Sequence, residues 1–426
     1  MSEKLEWHAV TLEEIAEITG GGTPKREVHA YWNGNIPWAT PTDITNNNKK
    51  VIEKTAEYIT EEGLKNSSAK LLPAGTVLMT SRATIGYCAI NTVPMATNQG
   101  FANFICKNNV YNLFLLYLLT FHKDNFEKLG SGSTFKEVAK STLKSYRVEI
   151  PPLPEQRKIA AILSSVDEAI EKTEAIIEQT EKVKKGLMQQ LLTKGIGHTK
   201  FKKTEIGEIP EEWEVKELKD LANPYDKYSF TGGPFGSDLT SEDYTEEGVQ
   251  IIQLQNIKEG YFSNDYRIFT SEEKANQLFS CNIYPGDIII AKMADPVARA
   301  CIVPNHSKRF LMASDGIRLS VDKRKYVTEY VTYAINAPYF RKQAINNSTG
   351  TTRLRIGLSA LRKLKILIPS YEEQQKIADI MTTIDQKIEF EKMKIKKLID
   401  IKKSLMQSLL TGKVRVKVDE DEVTSS

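Results

Sequence analysis

IPPLPEQRKIAAILSSVDEAIEKTEAIIEQTEKVKKGLMQQLLT, Ile150 to Thr193, returns at Ile368 to Thr411 as IPSYEEQQKIADIMTTIDQKIEFEKMKIKKLIDIKKSLMQSLLT. The offset is a constant 218 residues, and 20 of the 45 positions from Ile150 to Lys194 are identical without a gap. Identities include Glu155/Glu373, Gln156/Gln374, Asp167/Asp385 and the triplets Leu187-Met188-Gln189 and Leu405-Met406-Gln407. Such agreement marks an internal duplication rather than the general likeness of helices.

Each copy opens on proline and polar residues suited to a helix start, then carries apolar residues three and four apart. The first stripe is Ile159, Ile162/Leu163, Val166, Ile170, Ile177, Val183, Leu187 and Leu191. The second is Ile377, Ile380/Met381, Ile384, Ile388, Ile395, Leu398, Ile401, Leu405 and Leu409. About 38 residues at roughly 1.5 Å each predict helices of roughly 57 Å, a length suited to a coiled coil. The alternative is a surface helix packed on its own domain. Asp167, Glu168, Glu171, Glu174, Glu178 and Glu181 make the first helix acidic in its middle, whereas Lys387, Lys392, Lys394, Lys396 and Lys397 make the second basic. Antiparallel pairing would set these blocks face to face.

About 150 residues of mixed character precede each helix, with strand-like runs such as Thr76–Met79 and Ile288–Ile290 among turn signals. They share landmarks: Trp7 and Trp213 near the start, LPAGTVLM and YPGDIIIA turns into strands, a polar-glycine element (Asn98-Gln99-Gly100; Ser314-Asp315-Gly316), then GSGST and STGTT. The fold class expected is therefore α+β, two pseudo-repeated mixed α/β domains joined by two long helices that form an antiparallel coiled coil. The expected partition is 1–149 for the first domain, 150–200 for the central helix, 201–367 for the second domain, 368–415 for the C-terminal helix, and 416–426 as a disordered acidic tail.

With 426 residues, the chain can bury several cores. It lacks a run of about 18 apolar residues and its amino terminus, MSEKLEWHAV, lacks a signal peptide's apolar segment, which predicts a cytoplasmic protein. Cys88, Cys106, Cys281 and Cys301 form no CxxC pair and read as reduced core thiols. The net charge of +3 permits a DNA partner without requiring one.

ITGGGTPKREVHAYWNGNIPWATPTDIT, LPAGTVLMTSRATIGYCAI and ATNQGF resemble target-recognition domains of type I restriction-modification specificity subunits. TGGPFGSDLTSEDY and IIQLQNIKEG resemble another branch of that domain family, while PPLPEQRKIAAIL and GLMQQLLT resemble its central spacer. The likeness covers essentially the whole chain, with Leu153-Pro154 replaced by Tyr371-Glu372 in the second spacer. It implies a non-catalytic subunit that binds a bipartite, asymmetric site in double-stranded DNA. It also implies two methyltransferase subunits and restriction/translocase subunits as partners, with S-adenosylmethionine, Mg2+ and ATP held by those partners and no cofactor in this chain.

The residues themselves offer little chemistry. Asn223-Pro224-Tyr225-Asp226 lacks the second proline of a methyltransferase motif, and Gly20-Gly21-Gly22 lacks the spaced third glycine of a dinucleotide loop and reads as a flexible turn. No P-loop lysine motif is present, and His8, His29, His122, His198 and His306 are not at metal-ligand spacing. A fused methylase or nuclease is thereby disfavoured; a coiled-coil scaffold without DNA specificity is the other alternative.

Base edges are read by Arg, Lys, Asn and Gln, while Lys, Ser and backbone amides hold phosphates. In the first domain the candidates are Lys25, Arg26, Asn46 and Lys49 within Thr45–Lys50, Arg82 after Ser81, Asn98, Gln99, and Lys136 with Ser131 and Ser133 in GSGSTFKE. In the second they are Lys227 beside Tyr228, Ser237 after Phe235-Gly236, Gln253, Gln255, Lys292, Arg299, and Arg353 and Arg355 in TTRLR. Phe235 could wedge against DNA but reads more readily as a buried turn aromatic. Candidate helix-seam residues are Ile159, Leu163, Val166, Ile170, Ile177, Leu187, Ile377, Met381, Ile384, Ile388, Ile395 and Leu405.

Overall fold

The computed structural model describes residues 6–46, 49–132, 136–293, 295–351 and 353–418, and in it the chain forms two compact units. The first takes in the chain as far as Glu174 and resumes at Met393; the second is Ala175–Lys392. The long helices span Leu153–Lys194, 42 residues, and Tyr371–Leu409, 39 residues. Each unit therefore owns one mixed α/β body, the first half of one long helix and the last half of the other. Asn47, Asn48, Ser133, Thr352 and the tail from 419 onward lie outside the described residues.

In the first unit a five-stranded sheet runs in the order Ala16–Gly20, Phe101–Cys106, Val77–Thr80, Cys88–Asn91, Val51–Ile52. Val77–Thr80 is buried along its whole length because apolar groups cover both faces. On one side Val77 and Met79 meet Phe114, Leu115 and Leu118 of the helix Asn112–Phe121; on the other Leu78 meets Ala39, Ile44 and Phe101. A smaller sheet sets Trp32–Ala39 between Glu57–Ile59 and Ala96–Thr97, the latter parallel, with Ala39 opposite Thr97. His8–Thr11 pairs antiparallel with Arg147–Ile150, closing the body just before the long helix.

The second unit repeats the plan. Its four-stranded sheet runs Phe230–Gly232, Gly316–Leu319, Ile288–Ala291, Ala300–Ile302, and Ile288–Ala291 is again buried throughout. A second sheet holds Val249–Ile252 parallel to Phe310–Met312, with Ile252 opposite Met312. Glu214–Glu217 pairs with Lys365–Ile368 as the closing pair.

The repeated residues explain themselves at the helix roots. In the first unit Gln156 accepts the Tyr111 amide at 2.9 Å and donates to the carbonyls of Asn109 and Pro151; in the second Gln374 accepts the Val327 amide at 3.0 Å and donates to Lys325 and Pro369. Asp167 accepts the Tyr117 hydroxyl at 2.6 Å and meets Lys402 at 2.7 Å; Asp385 accepts Tyr333 at 2.8 Å and meets Lys184 at 2.5 Å. Glu155 takes Arg415 and the Val416 amide, whereas Glu373 takes the Ile196 amide, His198 and the Trp213 indole. The repeated glutamate, glutamine and aspartate each meet partners already in place, with Glu155, Gln156, Asp167 and Gln374 buried and Glu373 and Asp385 partly so.

Within each unit the two helix halves run antiparallel: Lys184 meets Asp385, while Glu181, one turn earlier, meets Lys392, two turns later. Ile159 and Leu163 are fully buried with Met406, Leu409 and Leu410 in the first core, as are Ile377 and Met381 with Leu191 and Leu192 in the second. Ile388 is buried too, whereas Val166, Ile170, Ile177, Leu187, Ile384, Ile395 and Leu405 are half-buried. The uniform apolar seam needs correction: Val183, Ile380 and Ile401 are exposed, because only the side of each helix that faces its α/β body or the other helix is covered. The charge blocks also meet less than expected. Glu181 reaches Lys392, but Glu168 and Glu178 pair with Lys172 and Lys182 on their own helix, where four-residue spacing brings them together.

Candidate nucleic-acid interface

Five loop segments of the first unit are laced together by backbone hydrogen bonds. Gly22 donates to the Thr97 carbonyl at 2.9 Å and Asn98 to Ala39 at 3.0 Å. Ser81 donates to Gly100, Val138 to Ser81, and Ser131 and Glu137 bond each other in both directions. The glycine run is not a flexible turn: a Cβ on Gly21 would strike the carbonyls of Thr97 and Asn98, and one on Gly22 the Ser68-Ala69 backbone. Only a bare backbone can approach so closely.

The second unit builds the same cradle. Gly233 donates to Gly316 at 2.8 Å and Ala313 to Ile252 at 2.9 Å, Lys292 donates to Asp315 and Ile356 to Lys292, and Thr349 and Arg355 bond each other in both directions. A Cβ on Gly233 would strike the Ala313 carbonyl. Strand register sets Gly20 level with Gly232 and Ala39–Thr97 level with Ile252–Met312, so Gly21 is the counterpart of Gly233 and Asn98 of Ala313; two residues beyond those glycines stand Thr23 and Phe235. The scaffold is common while the side chains on it differ.

Among the expected readers, the first cradle gathers Arg82, Asn98, Gln99 and Lys136. Asn98 Oδ1 caps the Gly100 amide at 2.8 Å, Gln99 is exposed and accepts the Thr23 hydroxyl, and Arg82 is half-exposed beside Glu137 at 3.9 Å. Lys25 is exposed, and its carbonyl accepts the Trp32 indole. Arg26 is engaged within its own domain, ion-paired to Glu57 with its guanidinium 4.0 Å above the Trp32 ring. Asn46 and Lys49 line a separate shallow cleft with Thr40, Asp43 and Lys54. Lys50, at the end of the same polar run, is turned inward onto Asp167; burial pushes its ammonium pKa down despite that bond.

The second cradle gathers Gln253, Gln255, Lys292, Arg353 and Arg355. Gln253 reaches the Tyr244 hydroxyl at 3.4 Å, Gln255 is exposed, and Arg355 holds Asp315 at 2.9 Å while remaining half-exposed. Arg299 donates from its two terminal nitrogens to the Asp295 and Leu254 carbonyls and so braces two loops. Lys227 is exposed beside its neighbour Tyr228, away from these bonds, and Ser237 is exposed on the Phe235 loop. Phe235 corrects the expectation of a buried turn aromatic: its side chain is 82% exposed, because its backbone turns outward with Phe235 O accepting the Asp238 amide at 2.9 Å. Thr23, which ties Gln99 to the glycine run, went unnoticed in the sequence because nothing local marks a threonine whose partner is distant in the chain.

Burial pushes the thiols of Cys88, Cys106 and Cys301 up to about 12, so they stay protonated at neutral pH and serve as small apolar groups. Among the described residues no helix is long and apolar enough to cross a membrane.

Two alike bodies, each displaying its own set of polar loop side chains on a shared cradle and each rooted in an antiparallel helix pair, define a modular recognition protein with two reading heads. The model of the type I restriction modification DNA specificity domain matches residues 4–182 and 210–400. The chain is 30% identical to the MjaIX type I restriction enzyme specificity subunit of Methanocaldococcus jannaschii, over 96% of this chain and 94% of that one. Its fold is similar to the S subunit of a type I restriction-modification system from M. genitalium, with TM-score 0.56 and 16% identity, covering 96% of this chain and 97% of that one. It is likewise similar to a chain solved in a study of complex assembly and conformational transition of the type I system, with TM-score 0.62 and 16% identity, covering 97% and 100%. The chain belongs to the family of type I restriction-modification specificity subunits. It is therefore a non-catalytic subunit, and the chemistry of its system lies in partner subunits.

Proposed function

We propose that this chain selects a bipartite, asymmetric site in double-stranded DNA, one half-site for each unit, from the cytoplasm. The observation that carries this reading is a common cradle with unlike occupants: Thr23, Asn98 and Ser81 in one unit, Phe235, Ala313 and Lys292 in the other. Two unlike sets of groove-edge donors and acceptors read two unlike sequences. The reading parts are 1–149 and 201–367, with Lys25, Asn46, Lys49, Arg82, Gln99 and Lys136 facing the first half-site and Lys227, Ser237, Gln253, Gln255, Lys292, Arg353 and Arg355 the second.

Two methyltransferase subunits dock on the helices, one per unit, and restriction/translocase subunits join through that complex. Each unit offers an equivalent helix pair with exposed apolar side chains, Met393, Ile399 and Ile401 in the first and Ile176, Val183 and Phe390 in the second. Random-sequence DNA selection with the assembled complex should enrich one motif with two unlike halves separated by a fixed gap. No enriched motif would leave a scaffold without DNA specificity. Native mass measurement should give two methyltransferase subunits per chain; a saturated one-to-one complex contradicts that part.

A further inference from the structure

Phe235 has the highest exposure among the large hydrophobic side chains of the described residues, 82%. A single exposed apolar residue is ordinary on a protein surface. Its setting is not. The loop under it is fixed: Gly233 is pressed against the Ala313 carbonyl, and Asp238 closes a turn on the Phe235 carbonyl at 2.9 Å. Pro234, buried, stiffens the step before it. The ring thus stands on a braced turn, at the rim of a cleft that it lines with Tyr244, Gln253, Gln255 and Asp315. Behind it, Gly236 has nothing within 4 Å of where its Cβ would be, so the next stretch of backbone is open to a neighbour.

We infer that Phe235 is a wedge, which the second unit pushes between two adjacent base pairs of its half-site while Gln253 and Gln255 meet base edges alongside. An apolar side chain on a rigid support can unstack a base step and regain the cost through contacts the deformed duplex permits. The wedge belongs to the second half-site alone, since Thr23 fills the equivalent position in the first unit with its hydroxyl on Gln99. Specificity would then arise partly from how readily the wedged step opens, with pyrimidine–purine steps favoured.

This inference rests on the DNA-reading proposal, and the test keeps the two separate. The assembled complex first yields its selected site. 2-Aminopurine is then placed at each position of both half-sites in turn, and fluorescence is compared between wild type, Phe235→Ala and Phe235→Trp. At one step of the second half-site, wild type and Phe235→Trp should brighten the probe and Phe235→Ala should not; signals from the first half-site should be the same in all three. Phe235→Ala should weaken binding about 5- to 150-fold, the range set by stacking one base on an aromatic ring. Phe235 is so exposed that its removal leaves no cavity. Failure to select any sequence would defeat the DNA reading itself. Selection with equal brightness and affinity in Phe235→Ala would overturn the wedge, as would a variant that loses only a partner subunit in native mass measurement.

Discussion

Lys402 Nζ stands 2.7 Å from Asp167 Oδ1 in the first unit, and the equivalent pair, Lys184 and Asp385, stands at 2.5 Å in the second. The two aspartates differ in company. Asp167 also accepts from Lys50 and Tyr117 and its side chain is 11% exposed, whereas Asp385 has Lys184 and Tyr333, and its side chain is 31% exposed. Asp167→Ala strands two half-buried ammonium groups and a phenol, and should cost about 3 kcal/mol. Asp385→Ala should cost about 1 kcal/mol. Denaturant unfolding of the full chain, with hydrogen exchange to localise the loss, checks both values; equal costs would contradict the comparison.

Acid should act through the same residue. Burial pushes the Asp167 carboxyl up, and the bonds from Lys402, Lys50 and Tyr117 together outweigh it and hold its pKa below the usual 3.8. A depressed carboxylate pKa contributes stability that is complete above the unfolded value and is lost as pH falls through the folded one. Wild type and Asp167→Asn should therefore differ most above pH ~4 and converge below it. A difference that persists unchanged at lower pH would contradict the assignment.

The cradles predict a glycine effect confined to one half-site. Gly233→Ala sets a methyl against the Ala313 carbonyl, and such overpacking costs about 1 to 3 kcal/mol. Sequence selection with that complex should blur the second half-site and leave the first intact. Gly21→Ala should do the reverse, by the same contact with Thr97 and Asn98.

How much of this was legible in the sequence differs by scale. The duplication and the long helices could be read directly, since Ile159, Leu163, Ile377 and Met381 repeat at helical spacing and the structure buries all four. The sheets could not, because their strands are short and the parallel pairing of Ala39 with Thr97 joins segments with no local signal in common. Lys50 and Lys49 look alike in a run of polar residues, yet one is turned in to a helix aspartate far along the chain. Gly21 looked loose because a glycine's need for closeness depends on a neighbour that only the fold supplies.

The proposed readers should divide by half-site in the same manner. Arg82→Ala or Lys25→Ala should alter only the first half-site, and Arg353→Ala or Lys292→Ala only the second. Loss of a bidentate base contact costs about 1 to 3 kcal/mol and relaxes one position, whereas loss of a phosphate contact weakens all sequences alike. Selection and salt-dependent affinity on the four variant complexes distinguish these outcomes. Unchanged motifs and affinities throughout would remove these residues from the interface.

The proposal that the long helices set the gap in a two-part DNA site is tested most directly by a matched deletion. Removing one heptad from each helix, Glu171–Ile177 and Glu389–Ile395, keeps the apolar register to within about 20° and shortens the pair by roughly 10 Å. That is about three base pairs of reach at roughly 3.4 Å each. Because three base pairs also turn the groove by roughly 100° on a repeat of about 10.5, the connections must flex and affinity should fall. The measurement is to sequence the sites methylated by the shortened complex. Both half-site sequences should be unchanged across a gap one to three base pairs shorter; an unaltered gap in a folded, active complex would contradict the proposal.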